Sequence, residues 1–161
     1  MLAIISPSKT QDFSQCDVNF YSQTRHLENS SELVNVLKKK SQSQISKLMS
    51  LSEKLSKLNF DRFQKFKLPF NQENAKQAIL AFKGDVYNGI DAPALSTDDL
   101  EFAQDSVRML SGLYGVIRPL DLIQPYRLEM GTKLSNSKAR IFMSIGEQRL
   151  VMSSMRMSLN L

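Results

Sequence analysis

The sequence predicts a mixed α+β protein of the α/β class, and three observations support this. A short apolar run over residues 2–5 ends at a Ser-Pro pair and has the length of a strand. Apolar residues recur at a spacing of three or four over much of residues 30–66, as they do on one face of a helix. The chain has 161 residues, of which 42% are hydrophobic, enough for a core without disulfides.

The first part of the chain is predicted to contain a buried strand, a long polar connection and two helices. Residues 2–5 form the strand, and Lys9 in the following loop is a candidate anion contact, because such loops often hold ligands. A surface lysine without a ligand explains Lys9 equally well. A first helix is predicted from Ser30 to the lysines at 38–40, whose charges complement the helix dipole. A second helix is predicted over residues 45–58.

Four phenylalanines follow at a spacing of three or four, Phe60, Phe63, Phe66 and Phe70. Basic residues lie between them, and alternating aromatic and basic side chains can form a stacking surface for single-stranded nucleic acid. The same spacing places aromatic side chains on one buried helical face. We prefer the buried face.

The next part is predicted to contain a turn and a well-capped helix. Residues 74–82 are apolar and helix-like, and they lead into a turn over residues 83–89. Ser96 can cap a helix whose first turn is acidic. The apolar pattern continues to Leu110, which predicts a helix ending there, with Gly112 following its C-terminus.

Composition and charge exclude several classes of protein. No apolar run approaches the roughly 20 residues that a membrane-spanning helix needs, and the start lacks the basic region of a secretory leader. We therefore expect a cytoplasmic protein without a membrane partner. Cys16 and His26 are the only cysteine and histidine, so we predict no metal site, no cofactor and no redox role for Cys16. A net charge of +5 allows a polyanionic partner without requiring one, and no obligate protein partner is evident.

Residues 110–131 carry most of the candidate functional groups. Gly112 and Gly115 follow the predicted helix and are predicted to expose consecutive backbone N–H groups. A glycine-bearing turn between two helices resembles the helix-hairpin-helix element, which grips a phosphate backbone without reading bases. Such a glycine pair also simply ends a helix. Tyr114 and Tyr126 are predicted to add polar aromatic surface.

Two arginines in this segment are candidate phosphate ligands. Arg118 and Arg127 carry planar guanidinium groups that match phosphate oxygens. Arg118 could equally pair with Asp121, and Arg127 with Glu129, as buried structural ions. The sequence contains no P-loop, no Ser-His-Asp set and no paired-histidine metal motif.

Four ordered segments carry a family resemblance. They are Ile-Ser-Pro-Ser-Lys-Thr at 5–10, Ala-Phe-Lys-Gly-Asp-Val-Tyr at 81–87, Leu-Ser-Gly-Leu-Tyr-Gly-Val-Ile-Arg-Pro-Leu-Asp at 110–121 and Pro-Tyr-Arg-Leu-Glu-Met-Gly at 125–131. These segments resemble the YaaA family. The resemblance implies a bacterial cytosolic protein of the hydroperoxide stress response that limits unincorporated iron and so restrains Fenton damage. It also implies a mixed α/β fold with a helix-hairpin-helix element, a positively charged cleft and DNA binding.

The matching motifs contain Lys9, Lys83, Asp85, Tyr87, Arg118 and Arg127. We predict a DNA or phosphate site formed by Lys9, Lys83, Gly112, Gly115, Arg118 and Arg127. We predict that its cleft is supported by Asp85, Tyr87, Tyr114 and Tyr126.

The resemblance stops after Lys138. We therefore predict that residues 1–138 are the N-terminal part of a single domain, which is incomplete at its C-terminus, and that residues 139–161 are a non-family tail. With third bases chosen to fit, the codons of residues 139–146 can be read in a shifted frame as Lys-Asn-Leu-Tyr-Glu-Tyr-Trp, similar to the segment that family members carry there. We hypothesise a frameshift near codon 138, and the downstream gene sequence in the other frame tests it.

Three functional hypotheses follow. The first is a stress-response protein that binds DNA through non-specific backbone contacts. The second is an enzyme acting on a phosphorylated or nucleotide substrate, with Lys9, Lys83 and Arg118 holding anions and Asp85 as the base. The third is a product that truncation has made inactive.

Overall fold

Helices and short strands are interspersed along the described part of the chain, which confirms the predicted mixed α+β class. The computed structural model describes residues 1–134, so the predicted boundary at residue 138 and the tail over residues 139–161 lie outside the described residues. The helices are α1 (Leu27–Lys38), α2 (Gln42–Met49), α3 (Glu53–Lys65), α4 (Ala78–Ala81), α5 (Asp85–Ile90) and α6 (Thr97–Ser106), with a 3-10 turn at Ala92–Ala94. The strands are β1 (Ala3–Ile5), β2 (Thr10–Gln11), β3 (Lys76–Gln77), β4 (Phe82–Lys83), β5 (Val107–Ser111), β6 (Gly115–Ile117) and β7 (Leu122–Ile123).

Three small sheets join distant parts of the described chain. The largest has the order β1-β5-β6, in which β1 runs parallel to β5 and β5 runs antiparallel to β6. The other two sheets are antiparallel pairs, β2 with β4 and β3 with β7. The β2–β4 pair places Thr10 opposite Lys83, so the loop after β1 lies beside the start of α5.

The first strand forms where the sequence predicts it, but the expectation that it is buried is wrong. Ala3 is exposed, and 50% of Ile4 is exposed to solvent. The reason is topological: β1 lies at the edge of its sheet, a position that sequence periodicity does not reveal.

The first helix begins earlier than predicted. It starts at Leu27, three residues before the expected cap, and Ser30 is instead buried, with its hydroxyl donating to the carbonyl oxygen of His26 at 3.0 Å. The basic end is as predicted, since Lys38 lies in the last turn.

The single helix predicted over residues 45–58 is two helices, α2 and α3. The break occurs because Ser50 adopts a left-handed conformation, with φ of 51°. Ser52 then caps α3 by accepting the N–H of Leu55 at 3.4 Å. Serine favours both caps and turns, so the apolar spacing alone could not locate this break.

The phenylalanine series is buried, which confirms the preferred interpretation. Phe63, Phe66 and Phe70 are 1%, 8% and 3% exposed, and Phe60 packs against the same core cluster. Phe66 caps the C-terminus of α3, so the last two rings follow the helix rather than extend it. None of the three is available as a stacking surface.

The predicted helix over residues 74–82 is reduced to the single turn α4. It is flanked by β3 and β4, and each of these strands pairs with a distant strand, so tertiary pairing overrides the local helical pattern. The turn predicted over residues 83–89 is mostly helix α5. Gly84 precedes this helix with φ of 127°, a conformation that favours glycine.

The helix predicted from Ser96 forms with a complete capping box. The Ser96 hydroxyl accepts the N–H of Asp99 at 3.2 Å, and the Asp99 carboxylate accepts the N–H of Ser96 at 3.1 Å. The helix ends at Ser106, however, and the following residues form β5. Gly112 therefore lies in the turn of the β5–β6 hairpin.

The structure does not confirm a helix-hairpin-helix element at the glycine pair, because the elements on both sides of the turn are strands. β5 pairs with β1 on one edge and β6 on the other, and these two ladders outweigh the helical spacing of its apolar residues.

Two apolar clusters form the described core. The larger one joins α1 and α3 to β5, β6 and β7 through residues such as Leu37, Phe63 and Ile117. The smaller one is built from Ile79, Leu80, Ala92, Leu100 and Leu120. Within residues 1–134, no helix has both the length and the apolar content to cross a membrane.

Candidate functional site

Two of the predicted cationic residues share one carboxylate. The ammonium nitrogen of Lys9 lies 3.0 Å from Oε1 of Glu129, and Nη2 of Arg127 lies 3.4 Å from the same oxygen. The Glu129 side chain is 53% exposed and Lys9 is 63% exposed, so these pairs are at the surface. The hydrogen bond from Lys9 is the main cause that lowers the pKa of Glu129. The suggested Arg127–Glu129 pair is present, but it is not a buried ion pair.

A cavity of about 320 Å³ opens beside this group. It lies between the loop after β1 and the segment after Pro125, with Leu110 and Gly112 in its wall. Four of the predicted site residues line it, Lys9, Gly112, Tyr126 and Arg127. Nε of Arg127 is buried and has no hydrogen-bond partner among the described residues.

Lys83 lies near the same loop but does not line the cavity. Its ammonium nitrogen is 3.9 Å from Oδ2 of Asp12, and both side chains are partly exposed. The pKa of Asp12 is lowered mainly by the hydrogen bond from the N–H of Ser14, with smaller contributions from Lys76 and Lys83. The positive charge of Lys83 is therefore offset locally.

The next two motif residues, both on α5, have different environments. Asp85 is exposed in the first turn of α5, and it is not among the residues that line the cavity. Tyr87 is buried, and its hydroxyl donates to the carbonyl oxygen of Ser6 at 2.8 Å. Burial raises the pKa of Tyr87. Tyr87 thus tethers the loop that carries Lys9.

Arg118 lies apart from the cavity and forms the ion pair with Asp121 that was the alternative to phosphate binding. Nη2 of Arg118 is 2.9 Å from Oδ1 of Asp121, and the backbone N–H of Arg118 donates to the other carboxylate oxygen at 2.9 Å. Asp121 is fully buried, while the Arg118 side chain is 23% exposed. Arg118 is therefore a structural residue with a partly accessible guanidinium group.

The backbone N–H groups beside the glycine pair are already occupied. Those of Leu113 and Tyr114 donate to the hydroxyl oxygen of Ser111 at 3.1 and 3.0 Å. The glycines have other roles. A Cβ at Gly112 would lie 2.3 Å from the carbonyl oxygen of Leu128, and Gly115 has a positive φ of 71°.

Tyr114 and Tyr126 are core residues rather than surface residues. They are 0% and 3% exposed, and their rings meet edge to face with centroids 5.0 Å apart. The Tyr114 hydroxyl accepts the N–H of Gln124 at 3.0 Å, and the Tyr126 hydroxyl accepts from Ser111 at 2.6 Å. Burial raises the pKa of both phenols. The expected polar aromatic surface is thus wrong, although Tyr126 reaches the cavity wall.

Sequence reasoning missed two arginines beside Arg118. Arg108 is half-buried on β5, and burial followed by the positive charges of Arg25 and Arg118 lowers the pKa of Arg108. Arg25 lies in the polar connection before α1, where no motif marks it. Arg108 was hidden because its segment was predicted to be helix. We call Arg25, Arg108 and Arg118 the arginine cluster.

The described residues contain no group of three or more His, Cys, Asp or Glu side chains that could hold a metal ion. Cys16 is a free cysteine that packs beside the smaller apolar cluster.

The protein is therefore a basic α+β protein with small sheets and a cavity that is bordered by surface cations. Its sequence contains no P-loop. The sequence model of the family described as "Peroxide stress protein YaaA" matches residues 1–145, so the chain belongs to that family. A curated relative from Hahella chejuensis (strain KCTC 2396), named "UPF0246 protein", is 52% identical over 139 residues. That alignment covers 86% of this chain and 54% of the relative, so the chain spans about half the length of the curated relative it matches. The family match extends a few residues past Lys138, the residue at which the family resemblance was predicted to stop.

Proposed function

We propose that this chain acts in the response to hydroperoxide by limiting iron-driven damage, and that it binds DNA through backbone phosphates without base preference. Membership of the peroxide stress family supports the first part. The net charge of +5 and the arginine cluster support the second.

The DNA-binding proposal depends mainly on the arginine cluster. The Arg108 guanidinium is held in place by the carbonyl oxygens of Gln104 and Val107, at 2.8 and 2.7 Å from Nη1. Arg25 and Arg118 lie close enough to act electrostatically on it, and the carboxylates of Asp105 and Asp121 offset part of that positive charge. Because like charges held together repel one another, a phosphate bound between them lowers the energy of the group.

The other predicted cations are expected to contribute less. Lys9 and Arg127 share Glu129, which leaves one net positive charge there. Lys83 is offset by Asp12, although the distance of 3.9 Å marks a weak pair. A phosphate can displace such exposed carboxylates, so these residues add to the affinity without defining the site.

Anisotropy of a dye-labelled DNA duplex, measured at several salt concentrations, tests this proposal. Arg25→Ala is the informative variant because Arg25 is exposed and its loss leaves no buried charge unpaired. We expect weaker binding and a slope of log K against log salt that is smaller by about one, as for one lost phosphate contact. Two duplexes of unrelated sequence should bind equally.

Lys57→Ala is the matched control, since it removes the same charge from an exposed position on α3. Its slope should equal that of the unaltered chain. If both variants weaken binding equally, net charge alone accounts for the affinity and the arginine cluster is not the site. Binding that does not respond to salt would contradict the phosphate-contact proposal altogether.

The peroxide role requires a test in cells. A bacterial strain that lacks its own family member should regain survival in hydrogen peroxide when this chain is expressed. We expect Arg25→Ala to rescue less than Lys57→Ala at equal protein level. Equal rescue by both would separate the stress role from DNA binding.

A second candidate function, an enzyme acting on a phosphorylated substrate, has one favourable observation. The cavity of about 320 Å³ carries Lys9 and Arg127, which can hold a small anion. The expected base, Asp85, does not line this cavity, and the carboxylate that does is Glu129. The enzyme hypothesis would therefore need a different base, and DNA binding stays the leading proposal.

A further inference from the structure

The sheet β1-β5-β6 has one well-covered face. Residues opposite each other in adjacent strands point to the same side of a sheet, and side chains alternate along each strand. Met109 and Ile117 are opposite each other and share one face. Both are 0% exposed and belong to the larger apolar cluster.

The other face of this sheet is incompletely covered. Ile4 lies opposite Arg108, and Leu110 lies opposite Val116, so these four side chains share it. We call them the open face. Ile4 is 50% exposed, the other three are partly exposed, and none of the three apolar residues belongs to either of the described apolar clusters.

The open face ends at an unpaired strand edge. β1 hydrogen-bonds to β5 on one side, and among residues 1–134 no strand pairs with its other side. Parallel pairing of the kind that joins β1 to β5 is usually found in sheets covered on both faces. An edge strand with exposed apolar side chains is also a template for a further strand.

We infer that the open face and the free edge of β1 form a docking surface for the C-terminal half of the YaaA-family polypeptide. The matched region makes up 54% of the curated relative, so nearly half of that protein is available to cover this surface. A strand of that half would add to β1, and apolar side chains would pack on Ile4, Leu110 and Val116.

The docked half also completes the cavity. Leu110 belongs to both the open face and the cavity wall, so the cavity beside Lys9 and Arg127 opens at the border of the docking surface. A segment packed on Leu110 would supply a further wall. Arg108 belongs to the open face and to the arginine cluster, so the docked half would border that cluster. The inference itself does not depend on DNA binding.

Cysteine accessibility tests the inference. Two proteins are compared, both carrying Ile4→Cys in a Cys16→Ser background. One is this chain, and the other is a fusion of residues 1–138 with the part of the Hahella chejuensis relative that follows its matched region. We expect the thiol at position 4 to react with a soluble thiol reagent about tenfold or more slower in the fusion, because burial blocks access. Leu58→Cys is the control: Leu58 is 44% exposed on α3 and does not belong to the open face. Its reaction rate should change less than about twofold.

Hydrogen exchange of the intact relative provides a second measurement that needs no fusion. The segment aligned with β1 should exchange more slowly there than β1 does in this chain. Equal reaction rates at position 4 in both proteins, or equal exchange, would overturn the inference. A third outcome would also overturn it: the thiol at position 4 of this chain, without the fusion, reacts more slowly as the protein concentration rises. A second copy of the chain would then cover the open face.

Discussion

The guanidinium of Arg118 lies 2.9 Å from the carboxylate of Asp121, and that carboxylate has no exposed surface. Asp121 also accepts hydrogen bonds from the backbone N–H of Arg118 and from the hydroxyl of Ser22. The interaction joins the segment after β6 to the connection before α1. A motif arginine predicted to bind phosphate is thus first of all part of the fold.

Removing Asp121 should destabilise the protein strongly. We expect Asp121→Ala to lower the free energy of unfolding by about 3 kcal/mol or more, because it leaves the Arg118 guanidinium and several donors without their acceptor. Denaturant unfolding followed by circular dichroism measures this. Asp61→Ala, at an exposed position on α3, should change the value by less than about 0.5 kcal/mol. A loss at Asp121 no larger than that at Asp61 would show that the pair contributes little.

Replacing Gly112 and replacing Gly89 by alanine should have opposite effects on the free energy of unfolding. Gly112→Ala places a Cβ 2.3 Å from the carbonyl oxygen of Leu128, and backbone cannot rotate away as a side chain can. We expect a loss of about 2 kcal/mol or more in the free energy of unfolding. Gly89→Ala, in helix α5 with nothing within 4 Å of the new Cβ, should gain about 0.5 kcal/mol. Thermal unfolding of both variants compares them, and a stable Gly112→Ala protein would refute the close approach.

Alkaline pH should unfold the protein as buried phenols ionise. Burial raises the pKa of Tyr87, Tyr114 and Tyr126, whereas in the unfolded chain a tyrosine ionises near pH 10. The stability from these groups is therefore complete below about pH 10 and is lost as the pH rises toward the raised values. Tyr21 is 43% exposed, so the measurement uses a Tyr21→Phe background, in which tyrosinate absorbance should grow together with loss of helix. Tyr126→Phe should make stability fall less steeply above pH 10, and ionisation of the three buried tyrosines in a fully folded Tyr21→Phe protein would contradict the assignment.

The shared carboxylate predicts a local titration change. Lys9 is the main cause of the lowered pKa of Glu129, so Lys9→Ala should raise that pKa toward its ordinary value. Carbon-detected NMR of the side-chain carboxyl measures it. Lys83→Ala is the control, because Lys83 pairs with Asp12 instead. In the unaltered chain, the contribution of Glu129 to stability is present above about pH 4.3 and lost as the pH falls. We expect that contribution to be small, since solvent screens an exposed pair.

The fold class, the family and several local features follow from the amino-acid sequence alone. The capping box of Ser96 and the burial of Phe63 could be predicted, and the Arg118–Asp121 pair was one of two alternatives for that arginine. Each depends on residues that lie close together along the chain, so spacing and side-chain chemistry define it.

The strand at residues 107–111 and the surroundings of Gly112 and Arg108 depend on contacts between distant parts of the chain. Leu110 belongs to a strand because β5 has partners on both edges, and one of them, β1, lies about a hundred residues away in the chain. The same pairing placed Arg108 in the arginine cluster and moved Gly112 from a helix end to a hairpin turn. Hydrogen bonds between distant strands outweigh a local helical preference of a few tenths of a kcal/mol per residue, and no pattern within one segment reveals which strand will be its neighbour.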